Sequence, residues 1–314
     1  MRLLSLLLLL PASLLAQSLP SLPAVAEPAS PAAPELHEDP VLHGQSPNAM
    51  PANPNLPTLW LIGDSTVRNG TAGDGSGGQW GWGAPLEYFF DRTKINVVNR
   101  AMGGTSSRSF YTSNWTRVLP NIKKGDIVIM QFGANDNGDP VTGKTAIKGT
   151  GPETVDSNGE TVHSFGWYMA QYVKETRDKG ATPIICSLTP RNRFKSDGSF
   201  QRDTTTHAAW AAQTAKDTNT PFVDLYELIA RRSEQLGKDK VAAFYGPTPT
   251  EYLHTNWLGA VSNAECVIGG LKGLKENPLA KFLSARGNLV PALDPTLPAL
   301  PVKNPAPAGV ALAN

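Results

Sequence analysis

The chain has 314 residues, 28 basic against 27 acidic side chains and 40% apolar content, enough for one core of roughly 200 to 250 residues. This balance excludes nucleic acid as a partner, because no Lys/Arg run concentrates the cations that phosphates require. Two cysteines, Cys186 and Cys266, make neither a disulfide scaffold nor a metal site.

Residues 1–16, "MRLLSLLLLLPASLLA", combine one Arg, a Leu-rich stretch and small residues at Ala12, Ser13 and Ala16, the layout of a secretory signal peptide. The stretch is too short for a transmembrane helix. No Cys follows it to carry a lipid, so the mature chain is expected to be secreted, periplasmic or extracellular, without a membrane partner. Residues 17–57 are crowded with Pro, Ala and Ser and read as a linker of polyproline character. The tail, residues 286–314, repeats that composition, which leaves 58–285 as the folded domain.

Within that domain, five apolar runs alternate with longer amphipathic stretches: "TLWLIG" (58–63), "INVVN" (95–99), "DIVIMQF" (126–132), "TPIICSL" (182–188) and "PFVDL" (221–225). Near-continuous apolar strands separated by helices predict a five-stranded parallel sheet covered on both faces, a three-layer α/β/α fold of flavodoxin-like type. Cys186, inside the fourth run, reads as a buried free thiol. The stretch "FGWYMAQYVKETRDKG" predicts a helix with Trp167, Met169, Ala170 and Val173 toward one side and Gly180 as its stop. "TTTHAAWAAQTAKDTN" and "AVSNAECVIGGLKGL" carry the same helical spacing.

Ligands of such a sheet bind outside the carboxyl ends of its strands. The strand exits read Gly63-Asp64-Ser65-Thr66, Asn99 to Gly104, Gly133-Ala134-Asn135-Asp136 and Thr189-Pro190-Arg191-Asn192, all on one rim. Ser65 reads either as a nucleophile or as a helix N-cap. The glycine turn at Gly104 and the amide of Asn135 supply the kind of donor an oxyanion needs. "EYLH" (251–254) sets Glu251 three residues before His254, a carboxylate and a general base or two polar loop residues.

Together these blocks resemble the SGNH (GDSL-type) hydrolase superfamily: "GDSTV", Gly104, "GAND" and "EYLH" stand for its four blocks, the last normally D-x-x-H. The stretches "GWG" (81–83), "VVNRAMGGTSSRSF", "SLTPRN" and "HTNWLGA" resemble its rhamnogalacturonan acetylesterase branch. The resemblance implies Ser65 as nucleophile, His254 as general base, and an oxyanion hole from the backbone N–H groups of Ser65 and Gly104 with the amide of Asn135. No metal or organic cofactor is implied. The expected activity is removal of O-acetyl groups from a plant cell-wall polysaccharide, rhamnogalacturonan foremost, by a monomer. Rival readings are an acetylesterase on xylan or another glycan, a lipase or thioesterase of the same superfamily, and a carbohydrate-binding protein without turnover.

Two positions depart from the pattern. Glu251 stands where the family has Asp, one methylene or ~1.5 Å longer. It orients His254 as the triad acid, or a carbonyl or water does so, or turnover is lost. Ala134 stands where the branch often has His, which bears on substrate contacts. Arg108 and Arg191 are candidate partners for galacturonate carboxylates, with surface solvation as the alternative. Trp82 is either an aromatic wall for a sugar ring or a core residue. His207 reads as a solvated helix start, while His163 either lines the site or merely precedes its helix. Asp64 and Asp136 read as braces of the rim turns.

Overall fold

Apolar runs buried on both faces become the strands expected of them. The computed structural model describes residues 48–68, 78–202, 207–246 and 251–296; the signal-like segment, residues 17–47 of the linker and residues 297–314 of the tail lie outside the described residues. In chain order the strands are β1 (Thr58–Gly63), β2 (Asn96–Asn99), β3 (Ile127–Gln131), β4 (Val155–Ser157), β5 (Glu160–Val162), β6 (Thr182–Cys186) and β7 (Phe222–Val223). The helices are α1 (Ser107–Phe110), α2 (Thr116–Val118), α3 (Phe165–Asp178), α4 (His207–Asp217), α5 (Leu225–Leu236), α6 (Lys238–Ala242), α7 (Trp257–Gly273) and α8 (Ala285–Leu289).

Five strands pair in parallel in the order β2-β1-β3-β6-β7. The chain steps outward from β1 to β2 and then returns across β1 to β3, which makes the gap between the β1 and β3 exits the topological switch point. Alternate residues of a strand face opposite ways, so the sheet feeds two cores. Leu59, Leu61, Ile127, Ile129 and Ile184 pack with α5 and α7 on one face. Trp60, Ile62, Val128, Met130 and Ile185 pack with α3 and α4 on the other. Cys186 and Cys266 are both buried and free.

The buried face of α3 is Phe165, Tyr168, Met169, Tyr172, Val173 and Thr176, a stripe at i, i+3, i+4, i+7 spacing. Trp167 and Ala170, expected on that side, lie half-buried at its flank. Gly180 follows the helix at φ 72°, the left-handed stop that glycine adopts freely.

The packed body reaches past 58–285 at both ends. Arg100 donates to the Ala49 carbonyl at 2.9 Å, and Asn96 brackets Asn53 by accepting from its N–H and donating to its carbonyl. Beyond α8, Val290 is buried and Leu293 N–H bonds the Gly269 carbonyl at 2.8 Å. Polar anchors on β2 and just after it, with a close approach at Gly269, hold these Pro-rich segments, and composition carries no trace of either.

A β4–β5 hairpin lies outside the expected elements. It turns at Asn158-Gly159, both with positive φ, the pair that a tight hairpin turn prefers.

Candidate active site

At the β1 exit the chain must turn against its neighbour. A Cβ at Gly63 would lie 2.5 Å from the Gln131 carbonyl oxygen and 2.6 Å from Val67 Cγ2, so only glycine fits. Asp64, fully buried, accepts from Thr66 N–H at 2.9 Å and Thr66 Oγ1 at 2.7 Å. This Asx turn lifts Ser65 to a half-buried apex, where it caps no helix. Gln131 Nε2 donates to Thr66 Oγ1 at 2.8 Å, and Trp82 Nε1 donates to Gln131 Oε1 at 2.8 Å. Trp82 is therefore no sugar-stacking wall: it is fully buried and anchors the hydrogen-bond chain beneath the Ser65 turn.

The glycine turn meets the same point. Met102 N–H bonds the Gly63 carbonyl at 2.9 Å, and a Cβ at Gly103 would stand 3.8 Å from Ser65 Cβ. Gly104 takes φ 72°. Asn135, from the β3 exit, donates one amide hydrogen to the Thr105 carbonyl at 3.1 Å, which leaves its second for a ligand. Asp136 accepts from Ser107 Oγ at 2.6 Å and Ser107 N–H at 3.0 Å, tying the two loops together. Burial pushes Asp136 up to about 7 despite those bonds, with the nearby Asp64 charge adding to the rise, and burial raises Asp64 as well.

From the far end of the chain, His254 Nε2 lies 2.9 Å from Ser65 Oγ, and its Nδ1 lies 3.1 Å from Glu251 Oε2. The other carboxylate oxygen, Oε1, accepts from Leu253 N–H at 2.9 Å and His254 N–H at 2.8 Å. Burial raises the Glu251 carboxyl, but these donors outweigh it and hold the group below its ordinary value. Thr255 fixes the loop by pairing with the backbone of Trp80 at 2.7 and 2.8 Å. A hydroxyl in contact with an imidazole whose far nitrogen meets a carboxylate can lose its proton as it attacks a carbonyl. Among the described residues no cluster of three His, Cys, Asp or Glu side chains could hold a metal ion.

The remaining candidates separate. Arg108 is not free for substrate. It is 5% exposed, pairs both oxygens of Glu160 at 2.9 and 2.6 Å, and donates to the carbonyls of Pro140, Gly143 and Thr145. Arg191 stays on the rim, its guanidinium 5.3 Å from the Tyr252 ring, on a segment joined to Tyr252 by the Asn192 N–H at 2.7 Å. His163 stacks on Trp167 at 3.8 Å.

His207 is a correction of a different kind. It is 4% exposed, set edge-on to Phe165 and Trp210 behind the Gly133 turn. Burial, with Lys148 nearby, lowers it to about 4. The folded protein thus binds the His207 proton less tightly than the unfolded chain. Stability from this group is complete above about 6.5 and is lost as pH falls toward about 4. The His207→Phe variant keeps the aromatic contacts and removes that loss. Its Tm relative to wild type is expected to be more favourable at pH 5 than at pH 8; a pH-independent difference would remove the buried imidazole as the cause.

Comparison with known proteins gives a consistent set. The family model described as "GDSL-like Lipase/Acylhydrolase family" matches residues 61–260. The rhamnogalacturonan acetylesterase of Emericella nidulans is 32% identical over 65% of this chain and 80% of its own length. The probable rhamnogalacturonan acetylesterase YesY of Bacillus subtilis is 32% identical over 69% of this chain and 93% of its own. Among solved structures, that of YxiM from Bacillus subtilis superposes with a TM-score of 0.57 at 25% identity, over 69% of this chain and 56% of that one.

Proposed function

The chain belongs to the GDSL-like lipase/acylhydrolase family, and from that premise we propose that it removes O-acetyl groups from a plant cell-wall polysaccharide, rhamnogalacturonan first, through Ser65 and His254. The observation that carries this reading is the unbroken contact from Ser65 Oγ through the His254 ring to Glu251. His254 Nε2 takes the Ser65 proton as Oγ attacks the acetyl carbonyl. The N–H groups of Ser65 and Gly104 and the free amide hydrogen of Asn135 carry the charge that develops on the carbonyl oxygen. His254 then returns the proton to the departing sugar oxygen, and water repeats the sequence on the acetyl-enzyme.

The choice of a glycan over a lipid leans on the relatives named for rhamnogalacturonan acetylesterase activity. Arg191 beside the His254 loop suits a uronate-bearing chain. The signal-like N-terminus fits export to where such polymers are met.

The deciding experiment is acetate release by wild type from acetylated rhamnogalacturonan, acetylated xylan and an aryl acetate. The expected result is kcat/KM about tenfold or more higher on the pectic polymer than on xylan, the size of about one net hydrogen bond. A preference for xylan would move the activity to that glycan. No release from any of the three would overturn the esterase reading.

A further inference from the structure

The sequence motif "TSSR" (105–108) does more than continue the glycine turn, because three successive side chains each grip a different part of the rim. Ser107 binds Asp136. Ser106, the N-cap of α1 within a capping box with Ser109, donates from Oγ to the Lys144 carbonyl. Arg108 donates to the carbonyls of Pro140, Gly143 and Thr145, at 2.7, 3.3 and 3.1 Å. The loop is also pinned from outside by Ser157 Oγ on the Val141 carbonyl at 2.6 Å, and closed on itself by Gly143 N–H on the Asp139 carbonyl at 2.9 Å.

What this scaffold holds is Lys144. Its backbone is fixed at its own carbonyl and at both neighbours, while its side chain is exposed. The ammonium reaches back to donate to the Gly104 carbonyl. A Cβ at Gly104 would lie 3.8 Å from Lys144 Nζ, and one at Gly103 would lie 3.8 Å from Ser65 Cβ. The Gly103–Gly104 turn is thus bordered by the Ser65 side chain on one residue and by a cation on the next. Among the described residues no carboxylate pairs with that ammonium, and a lysine has three donors of which the Gly104 carbonyl takes one. A nearly buried arginine and a capping serine fix its backbone in place beside the Gly103–Gly104 turn.

We propose that Lys144 forms a carboxylate-binding subsite beside the acyl site, where it receives a uronate of the acetylated polysaccharide. The proposal rests on the esterase reading above and sharpens it, since it separates uronate-bearing polymers from neutral ones. Arg108 is the positioning residue of this subsite, acting through the loop carbonyls. The cation expected at Arg108 is supplied one loop away.

The test pairs the lysine with the charge it meets. Acetate release is measured on acetylated rhamnogalacturonan with free carboxylates and on the same polymer with its uronates methyl-esterified. Wild type is expected to favour the free acid by about tenfold in kcat/KM, mainly through KM, a size ordinary for one charge-assisted contact. Lys144→Gln is expected to bring the ratio to within about twofold, and Lys144→Arg to keep it. The proposal is overturned if wild type shows no preference, if the preference survives Lys144→Gln, or if that variant loses activity on both forms alike, which would leave the lysine as a prop for Gly104. Absence of acetate release by wild type from either form would instead overturn the esterase reading, and this proposal with it.

Discussion

Ser65→Ala is expected to lower kcat for acetate release by on the order of 10⁵- to 10⁶-fold, as loss of a triad nucleophile does. The oxygen removed is the one 2.9 Å from His254 Nε2. The turn that carries it stands without it: Asp64, Thr66, Gln131 and Trp82 bond one another and not Ser65 Oγ. Stability is therefore expected to change by no more than about 0.5 kcal/mol, read as the urea midpoint. The residual rate reflects the backbone and Asn135 donors, which still favour an oxyanion when water attacks unaided. Activity within about a hundredfold of wild type on both polymer and aryl acetate would remove Ser65 from the chemistry.

The strands and their exits were legible because they depend on local facts: β-branched apolar runs make buried strands, and polar Gly-rich clusters after them gather on one rim. Ser65, His254 and Glu251 stood out only through the resemblance of their blocks to a hydrolase family. Read locally, Ser65 was a nucleophile or a cap and Glu251 with His254 a pair or two loop residues, and it is the fold that brings the three into contact. What sequence could not decide was which way a polar side chain faces. Arg108 and Trp82 have the chemistry for sugar, yet one serves the carbonyls of a loop and the other a buried glutamine. His207 begins a helix, where solvent is the usual neighbour, but α4 docks with that end against Phe165 and the Gly133 turn. Lys144 lay in a stretch with no periodicity and no motif. Its place follows from Gly104, Ser106 and Arg108, far earlier in the chain, a relation only the fold reveals. Asn158-Gly159 is the exception: its hairpin signal stood in the sequence and was missed between short strands of three residues each.

Glu251→Gln is expected to cut kcat by roughly 10³- to 10⁴-fold while leaving the fold intact, the scale seen when the acid of a serine triad becomes its amide. The glutamate has two tasks that a glutamine cannot combine. Oε1 accepts from two backbone N–H groups at 2.8 and 2.9 Å, and Oε2 meets His254 Nδ1 at 3.1 Å. In the amide, the single carbonyl oxygen goes to the pair of N–H donors, because turning it to the ring would set NH₂ against both of them. The NH₂ then faces Nδ1, which must accept. That tautomer puts the ring proton on Nε2, pointing at Ser65 Oγ, so the ring can no longer act as base. The backbone bonds also explain how a side chain ~1.5 Å longer than Asp fits three residues before its histidine: the extra reach is folded back over the 252–254 backbone, and only one oxygen extends to the ring. A Glu251→Gln variant with kcat near wild type would mean that His254 is oriented by another group. A loss of the predicted size with an unchanged urea midpoint, and with the same KM, fixes Glu251 as the residue that sets the tautomer.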